Sequence, residues 1–190
     1  MKNLNNYTYI PRLKFPTELE FEPIQLCNAL CFTCPYTTLQ EDKEYRGKKM
    51  SREKISLLLT DFGNLLKKNN YKGNAHVNPF RYSDPLICKD LDLIFSLAKK
   101  FSFKVRITTN GVSFNENNAK LLNEYFDTLE GIISISVIGS TTEKIKKNMN
   151  VNLDLTFARL SNVKLKFPKL ASKIKVGRAE VEETSEENQE

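Results

Sequence analysis

The sequence of 190 residues contains no apolar run approaching the ~20 residues that a membrane-spanning helix requires. Its first residues, Met1-Lys2-Asn3-Leu4-Asn5-Asn6, also lack the apolar core of a signal peptide. These absences predict no membrane partner and a cytoplasmic protein. Cysteine is scarce, with only four in the chain, and three of them lie between positions 27 and 34. That crowding suits metal binding in a reducing compartment better than a disulfide framework spread along a small secreted chain. No internal repeat is evident, so a repeat array is excluded as well.

At 40% hydrophobic residues the chain can bury one sizeable core, which argues for one principal domain. The formal net charge of +6 is unevenly distributed: Ala179 to Glu190 hold six glutamates and no Lys or Arg. The positive excess therefore falls on residues 1–178. A basic balance favours anionic partners, and so an anionic substrate. Most of the lysines, such as Lys67, Lys68, Lys99, Lys100, Lys146 and Lys147, nevertheless sit between apolar helix positions, where solvated faces place them.

Periodicity organises the chain as alternating strands and helices. Residues 21–26 read as a strand running into the cysteine group. From Ser51, a predicted N-cap, the apolar positions Ile55, Leu58, Leu59, Phe62, Leu65 and Leu66 step at helical spacing to about Asn69. A short strand is expected over Asn74–Asn78 and ends at Pro79. Asp90 is expected to cap a helix through Phe101, followed by a strand with Phe103, Val105 and Ile107 on one face and a Thr108-Thr109-Asn110-Gly111 turn.

A third helix is predicted over 116–129, then a strand at Ile132–Ile138. Ser140-Thr141-Thr142-Glu143 has capping-box spacing for a further helix. Leu153, Phe157 and Leu160 mark another short helix, and Val163, Leu165 and Phe167, alternating with lysines, read as a fifth strand. The expected fold class is α/β: a partial barrel of about five βα units, with a parallel sheet and helices on its outer face. The expected divisions are an extension at 1–19, the barrel at 20–167, and a basic then acidic tail at 168–190 with little to bury.

Cys27-Asn28-Ala29-Leu30-Cys31-Phe32-Thr33-Cys34 follows the first strand, where loops at the C-terminal ends of parallel strands converge. Three thiolates on one loop can wrap a soft metal centre, either an iron–sulfur cluster or zinc. Structural zinc takes four ligands, and only Cys88 or His76 is available as a fourth. Three local ligands leave one iron of a cubane open.

The three-then-two spacing of these cysteines resembles that of the radical S-adenosylmethionine (SAM) superfamily. Further segments resemble the family in the same order. Cys34-Pro35 looks like the Cys-Pro start of peptide- and nucleotide-modifying members, and Ser83-Asp84-Pro85 looks like the Gly-Glu-Pro segment. Thr108-Thr109-Asn110-Gly111 looks like the Thr-Asn-Gly turn after the third strand, and Ile135-Ser136-Val137-Ile138-Gly139 like the fourth strand. The likeness covers about residues 20–167, as a SPASM-type-like core without the C-terminal cysteines of auxiliary clusters.

This resemblance implies a 4Fe–4S cluster on Cys27, Cys31 and Cys34, with SAM chelated at the open iron. SAM contacts would come from Ser83, Asp84, Pro85, Thr109, Asn110 and Ser136, with Asp84 meeting the methionine amino group. One-electron reduction by a donor such as flavodoxin or ferredoxin would yield a 5′-deoxyadenosyl radical that abstracts hydrogen from a substrate. Thr33 stands where an aromatic residue is usual, and a sixth strand is not evident. A homodimer or second subunit would then cover the open edge. A non-catalytic cluster-binding subunit and a zinc-stabilised basic nucleic-acid-binding module are the competing readings.

Other residues carry weaker signals. His76 reads as a structural or polar histidine, and Cys88 as a small buried hydrophobe. Arg81, Arg106 and Arg159 each have the guanidinium fork that matches a carboxylate or phosphate, while Phe80 and Tyr82 read as loop packing.

Overall fold

The computed structural model describes residues 14–179. Five strands, β1 (Glu18–Glu20), β2 (His76–Asn78), β3 (Lys104–Thr109), β4 (Leu129–Ile138) and β5 (Ile174–Ala179), form one sheet in sequence order. Every neighbouring pair is parallel. Each connection therefore crosses back over the sheet, and the helices supply those crossovers: α1 (Tyr36–Leu39), α2 (Arg52–Lys68), α3 (Leu91–Lys100), α4 (Glu116–Glu124), α5 (Thr142–Met149), α6 (Leu153–Lys166) and α7 (Pro168–Ala171). This is the predicted parallel α/β partial barrel.

Alternation along the strands separates two faces. Val77, Val105, Ile107, Ile133 and Ile135 are fully buried against Ile55, Leu59, Ile94, Phe95 and Leu122 of the helices. The intervening positions, Glu18, His76, Asn78, Arg106, Thr108, Ser134 and Ser136, line the other face. A sheet this short stays folded because one face is dry, and the polar face is left for other uses. Between Val105 and Ile107 the β3–β4 register shifts, from Val105 opposite Leu129 to Ile107 opposite Ile133. The extra residues of β4 form a bulge that carries Glu130 and Ile132.

Helix starts follow side-chain capping. Ser51 accepts from Lys54 N–H as predicted, and Asn115 and Asn152 do the same for α4 and α6. The cap of α5 is Thr141, one residue beyond the predicted Ser140, and it accepts from Lys144 N–H. Asp90 stands at the start of α3 but makes no capping bond; its carboxylate is taken instead by Arg52, 2.6 Å away.

Two strand predictions are corrected. Residues 21–26 are not a ladder strand: β1 lies just before them, because Pro23 cannot donate to a sheet. Ile24 pairs instead with Lys49 through an antiparallel bridge. Val163–Phe167 is the end of α6 rather than a strand, since Thr156 and Val163 continue the helical spacing and Leu165 points outward, 82% exposed. The fifth strand comes from residues assigned to the tail, where α7 and β5 occupy 168–179. The acidic remainder, 180–190, and residues 1–13 lie outside the described residues.

Candidate functional site

Six residues, 21–26, separate β1 from the cysteine loop, which is held from several sides. Leu30 N–H donates to Met149 O (2.8 Å) and Phe32 N–H to Asn148 O (3.0 Å), fastening the loop to the end of α5. Thr37 Oγ1 donates to Cys31 O at 2.7 Å, and Cys34 N–H to the same carbonyl at 2.9 Å, which tightens the turn between the second and third cysteines. Ala29 and Tyr36 are buried beside it, while Phe32 is half exposed. The loop is thus fixed by backbone bonds, with its three thiols half-buried.

Burial pushes the thiols of Cys27 and Cys31 up to about 11; the Asp84 charge and the neighbouring cysteines add to the rise at Cys27, and Cys34 adds to it at Cys31. For Cys27 the Ala29 backbone opposes the rise. These groups are close enough to sense one another. Even so, among the described residues no three Cys, His, Asp or Glu side chains converge as a single ion requires. A four-iron cubane would take one cysteine on each of three irons, and three thiolates on one loop are soft donors of the kind it takes.

The two residues available to complete a zinc set lie elsewhere. Cys88 is buried in the core, 7% exposed, near Asp90, Asp92 and Arg52. His76 is on the polar sheet face, its Nδ1 3.4 Å from Glu130 Oε1 but off the line of a hydrogen bond.

Behind the cysteine loop, the loops after β2 and β3 meet. Asp84 N–H donates to Leu26 O at 3.1 Å, joining the Ser83-Asp84-Pro85 segment to the residue before Cys27. Asp84 caps the short 3-10 turn Pro85–Ile87, its Oδ1 accepting from Leu86 N–H at 2.9 Å. Pro85 at the first position of that turn loses no hydrogen bond. The other oxygen, Oδ2, accepts from Thr109 Oγ1 (2.6 Å) and from Asn110 N–H (3.0 Å). Burial pushes the Asp84 carboxyl upward, against the pull of these three donors. Both of its oxygens are therefore engaged within the protein, although the sequence suggested that it faces a ligand.

Asn110 continues the joint. Its Oδ1 accepts from Val112 N–H at 2.9 Å, and its Nδ2 donates to Asn28 Oδ1 at 2.8 Å and to Cys27 Sγ at 3.5 Å. Gly111 follows with φ +80°, and a Cβ there would meet Thr156 Cγ2 at 2.8 Å, so this turn requires glycine. Cys27, Ser83, Asp84, Pro85, Thr109 and Asn110 are thus brought into one connected set. The Ser83 hydroxyl is buried and has no partner among the described residues. Ser136 is on the opposite, polar face and takes no part in these bonds.

Sequence reasoning missed Asn28, which lies inside the cysteine motif and links Asn110 to Ser113 through its Nδ2 (2.8 Å to Ser113 Oγ). An asparagine between metal-ligand positions was the only signal available. The three arginines are committed to protein partners. Arg106 forms a fork on Glu130, with Nε 2.6 Å from Oε2 and Nη2 3.1 Å from Oε1, and also reaches Glu18. Arg159 donates to Val112 O, and Arg81 lies over the Tyr82 ring and near Glu20. A cavity of about 290 Å³ opens beside Arg106, Thr108, Glu130, Ile132 and Ser134 on the polar face.

No family model matches the chain. An uncharacterized protein of Archaeoglobus fulgidus is 32% identical over 114 residues, which is 58% of this chain and 24% of that protein. Three solved structures resemble the fold. They are BtrN in complex with AdoMet and 2-DOIA (TM-score 0.57, 18% identity, 87% of this chain and 57% of that one), Streptococcus suis SuiB bound to S-adenosylmethionine (0.61, 16%, 90% and 36%), and native anSMEcpe with bound AdoMet (0.56, 20%, 84% and 43%). The chain spans less than two thirds of the length of each of these proteins. All three structures are of radical SAM enzymes, and the parallel α/β partial barrel of this chain is the fold they share with it.

Proposed function

We propose that this chain is the core of a radical SAM protein, with a 4Fe–4S cluster on Cys27, Cys31 and Cys34 and SAM bound beside the loops that follow β1, β2 and β3. One observation carries the reading: the cysteine loop is joined through Asn110 and Asp84 to the two segments that resemble SAM-binding turns, on a fold shared with SAM-bound enzymes. When bound, a cluster of this kind with SAM at its open iron supplies, on one-electron reduction, a 5′-deoxyadenosyl radical able to take hydrogen from a substrate. The protein's own work is positional. Met149 and Asn148 carbonyls hold the cysteine loop, Asp84 ties two loops together, and the buried Ser83 hydroxyl supplies a polar group to the SAM side. In this reading Asp84 shapes the segment and leaves direct contact with SAM to its neighbours, because its own oxygens are taken. Ser136 serves from the polar face.

A one-electron donor such as flavodoxin or ferredoxin would reduce the cluster. The polar sheet face would receive the substrate, and the outer edge of β5 would take a second subunit or a further part of a longer protein. The test is anaerobic reconstitution with iron and sulfide, followed by a 5′-deoxyadenosine assay with SAM and dithionite. A brown four-iron protein that forms 5′-deoxyadenosine supports the proposal, whereas stoichiometric zinc without a cluster overturns it. A cluster without turnover favours the cluster-binding subunit. Replacing Cys27, Cys31 or Cys34 by Ala should abolish the chromophore, and Cys88→Ala should retain it; equal loss in all four would overturn the ligand assignment.

A further inference from the structure

The amide of Asn110 has only one orientation compatible with its surroundings. Val112 N–H can only donate, so the atom 2.9 Å from it must be the oxygen of Asn110. The nitrogen is thereby turned toward Cys27 and Asn28, and its two protons have two acceptors, Asn28 Oδ1 at 2.8 Å and Cys27 Sγ at 3.5 Å. Asn28 is held in turn, because its own nitrogen donates to Ser113 Oγ. The backbone N–H of Asn110 is anchored on Asp84. Every hydrogen-bonding group of this side chain is assigned, and one N–H dipole is left pointing at the sulfur of a single cysteine.

That dipole is buried. Asn110 is 8% exposed, so water screens its field little. An electron added to an iron–sulfur centre spreads in part onto its cysteine sulfurs. A donor aimed at one of them stabilises the reduced state more than the oxidised one, and hydrogen bonds to the sulfurs are among the factors that set such potentials.

Resting on the function proposed above, we infer that Asn110 is a positioning residue that tunes the redox potential of the centre held by Cys27, by donating its side-chain N–H to the Cys27 sulfur. The three cysteines are then not equivalent, because Asn110 donates to Cys27 alone. The Thr-Asn-Gly turn after β3 acts here on the cluster side of the site as well as shaping the loop.

The test is a redox titration, followed by electron paramagnetic resonance, of the reconstituted full-length protein without SAM. Asn110→Ala removes the donor. Asn110→Asp keeps the shape and the acceptor for Val112 but replaces the N–H by a carboxylate oxygen. Ser113→Ala disturbs the far end of the same chain of bonds and spares the bond to sulfur. With four irons retained, Asn110→Ala should shift the midpoint to more negative potential by about 59 mV, a tenfold lower reduced-to-oxidised ratio for a one-electron couple. Asn110→Asp should shift it further and Ser113→Ala should leave it in place. An unchanged midpoint in Asn110→Ala, or an equal shift in Ser113→Ala, overturns the inference while leaving the proposed function standing.

If the Asn110 variants hold no cluster, the unaltered protein decides. Labelled with ¹⁵N-asparagine and reduced, it should show nitrogen coupling to the cluster in pulsed resonance, and absence of that coupling overturns the inference. A wild-type chain that takes up no cluster overturns both the inference and the proposed function.

Discussion

Asp84 illustrates how one buried carboxylate can serve two loops. It accepts from Leu86 N–H, Thr109 Oγ1 and Asn110 N–H, and it is 2% exposed. Asp84→Ala would leave all three donors without an acceptor in a dry environment, at about 1–3 kcal/mol each. The metal-free protein should lose about 3 kcal/mol or more of unfolding free energy, read as a lower denaturant midpoint. Asp84→Asn, which keeps one acceptor oxygen, should lose less. A loss below about 1 kcal/mol in the alanine variant would show that these bonds are not what joins the loops. The residue types here were legible from the sequence as candidates. Their roles were not, because sequence cannot show that both oxygens of Asp84 are already taken or that Asn110 reaches Cys27.

At the scale of elements, α2 and α3 pack so closely that a glycine is required at their contact. A Cβ on Gly63 would lie 2.4 Å from Phe101 Cδ1, and the Phe101 ring stacks on Phe103 with centroids 5.6 Å apart. Alanine normally stabilises a helix interior by about 1 kcal/mol over glycine. Displacing a ring in a packed core costs about 1–3 kcal/mol. Gly63→Ala should therefore destabilise the protein on balance, by about 1 kcal/mol in chemical denaturation. Gly131→Ala is the matched comparison, since nothing lies within 4 Å of a Cβ there, and it should be neutral or slightly stabilising. A gain in stability for Gly63→Ala would mean that the two helices separate more readily than their packing suggests.

Helices α2 and α3 and strand β3 were legible because each carries a regular apolar period next to a capping or turn residue. The helix expected over 116–129, in contrast, ends at Glu124, and Leu129 already opens β4, three residues before the expected start of that strand. The alternation at Val163, Leu165 and Phe167 misled, since a period of two over five residues also fits a helix with one exposed leucine.

On the scale of the whole molecule, β1 and β5 are the outer strands of the sheet among the described residues. β5 buries little side chain, with only Ile174 partly covered, yet six consecutive positions pair with β4 from Ile133↔Ile174 to Ile138↔Ala179. Its contribution lies in backbone bonds that close the exposed edge of β4. Truncation after Lys173 should lower the denaturation midpoint and produce concentration-dependent aggregation, measured by light scattering. An unchanged midpoint and a clear solution would show that β4 tolerates an open edge.

The sequence by itself determined the parallel α/β class, through alternating periods of two and of 3.6, and the cysteine loop, through the spacing of three thiols on one short segment. Periodicity records which side chains seek a dry face, and spacing records what one loop can wrap. Tertiary structure alone decided that β5 exists, since its residues are held by main-chain pairing that leaves no side-chain pattern. It alone also decided that Asn110 donates to Cys27. That bond joins groups 83 positions apart, and a side chain's orientation is fixed by the neighbours that folding brings to it.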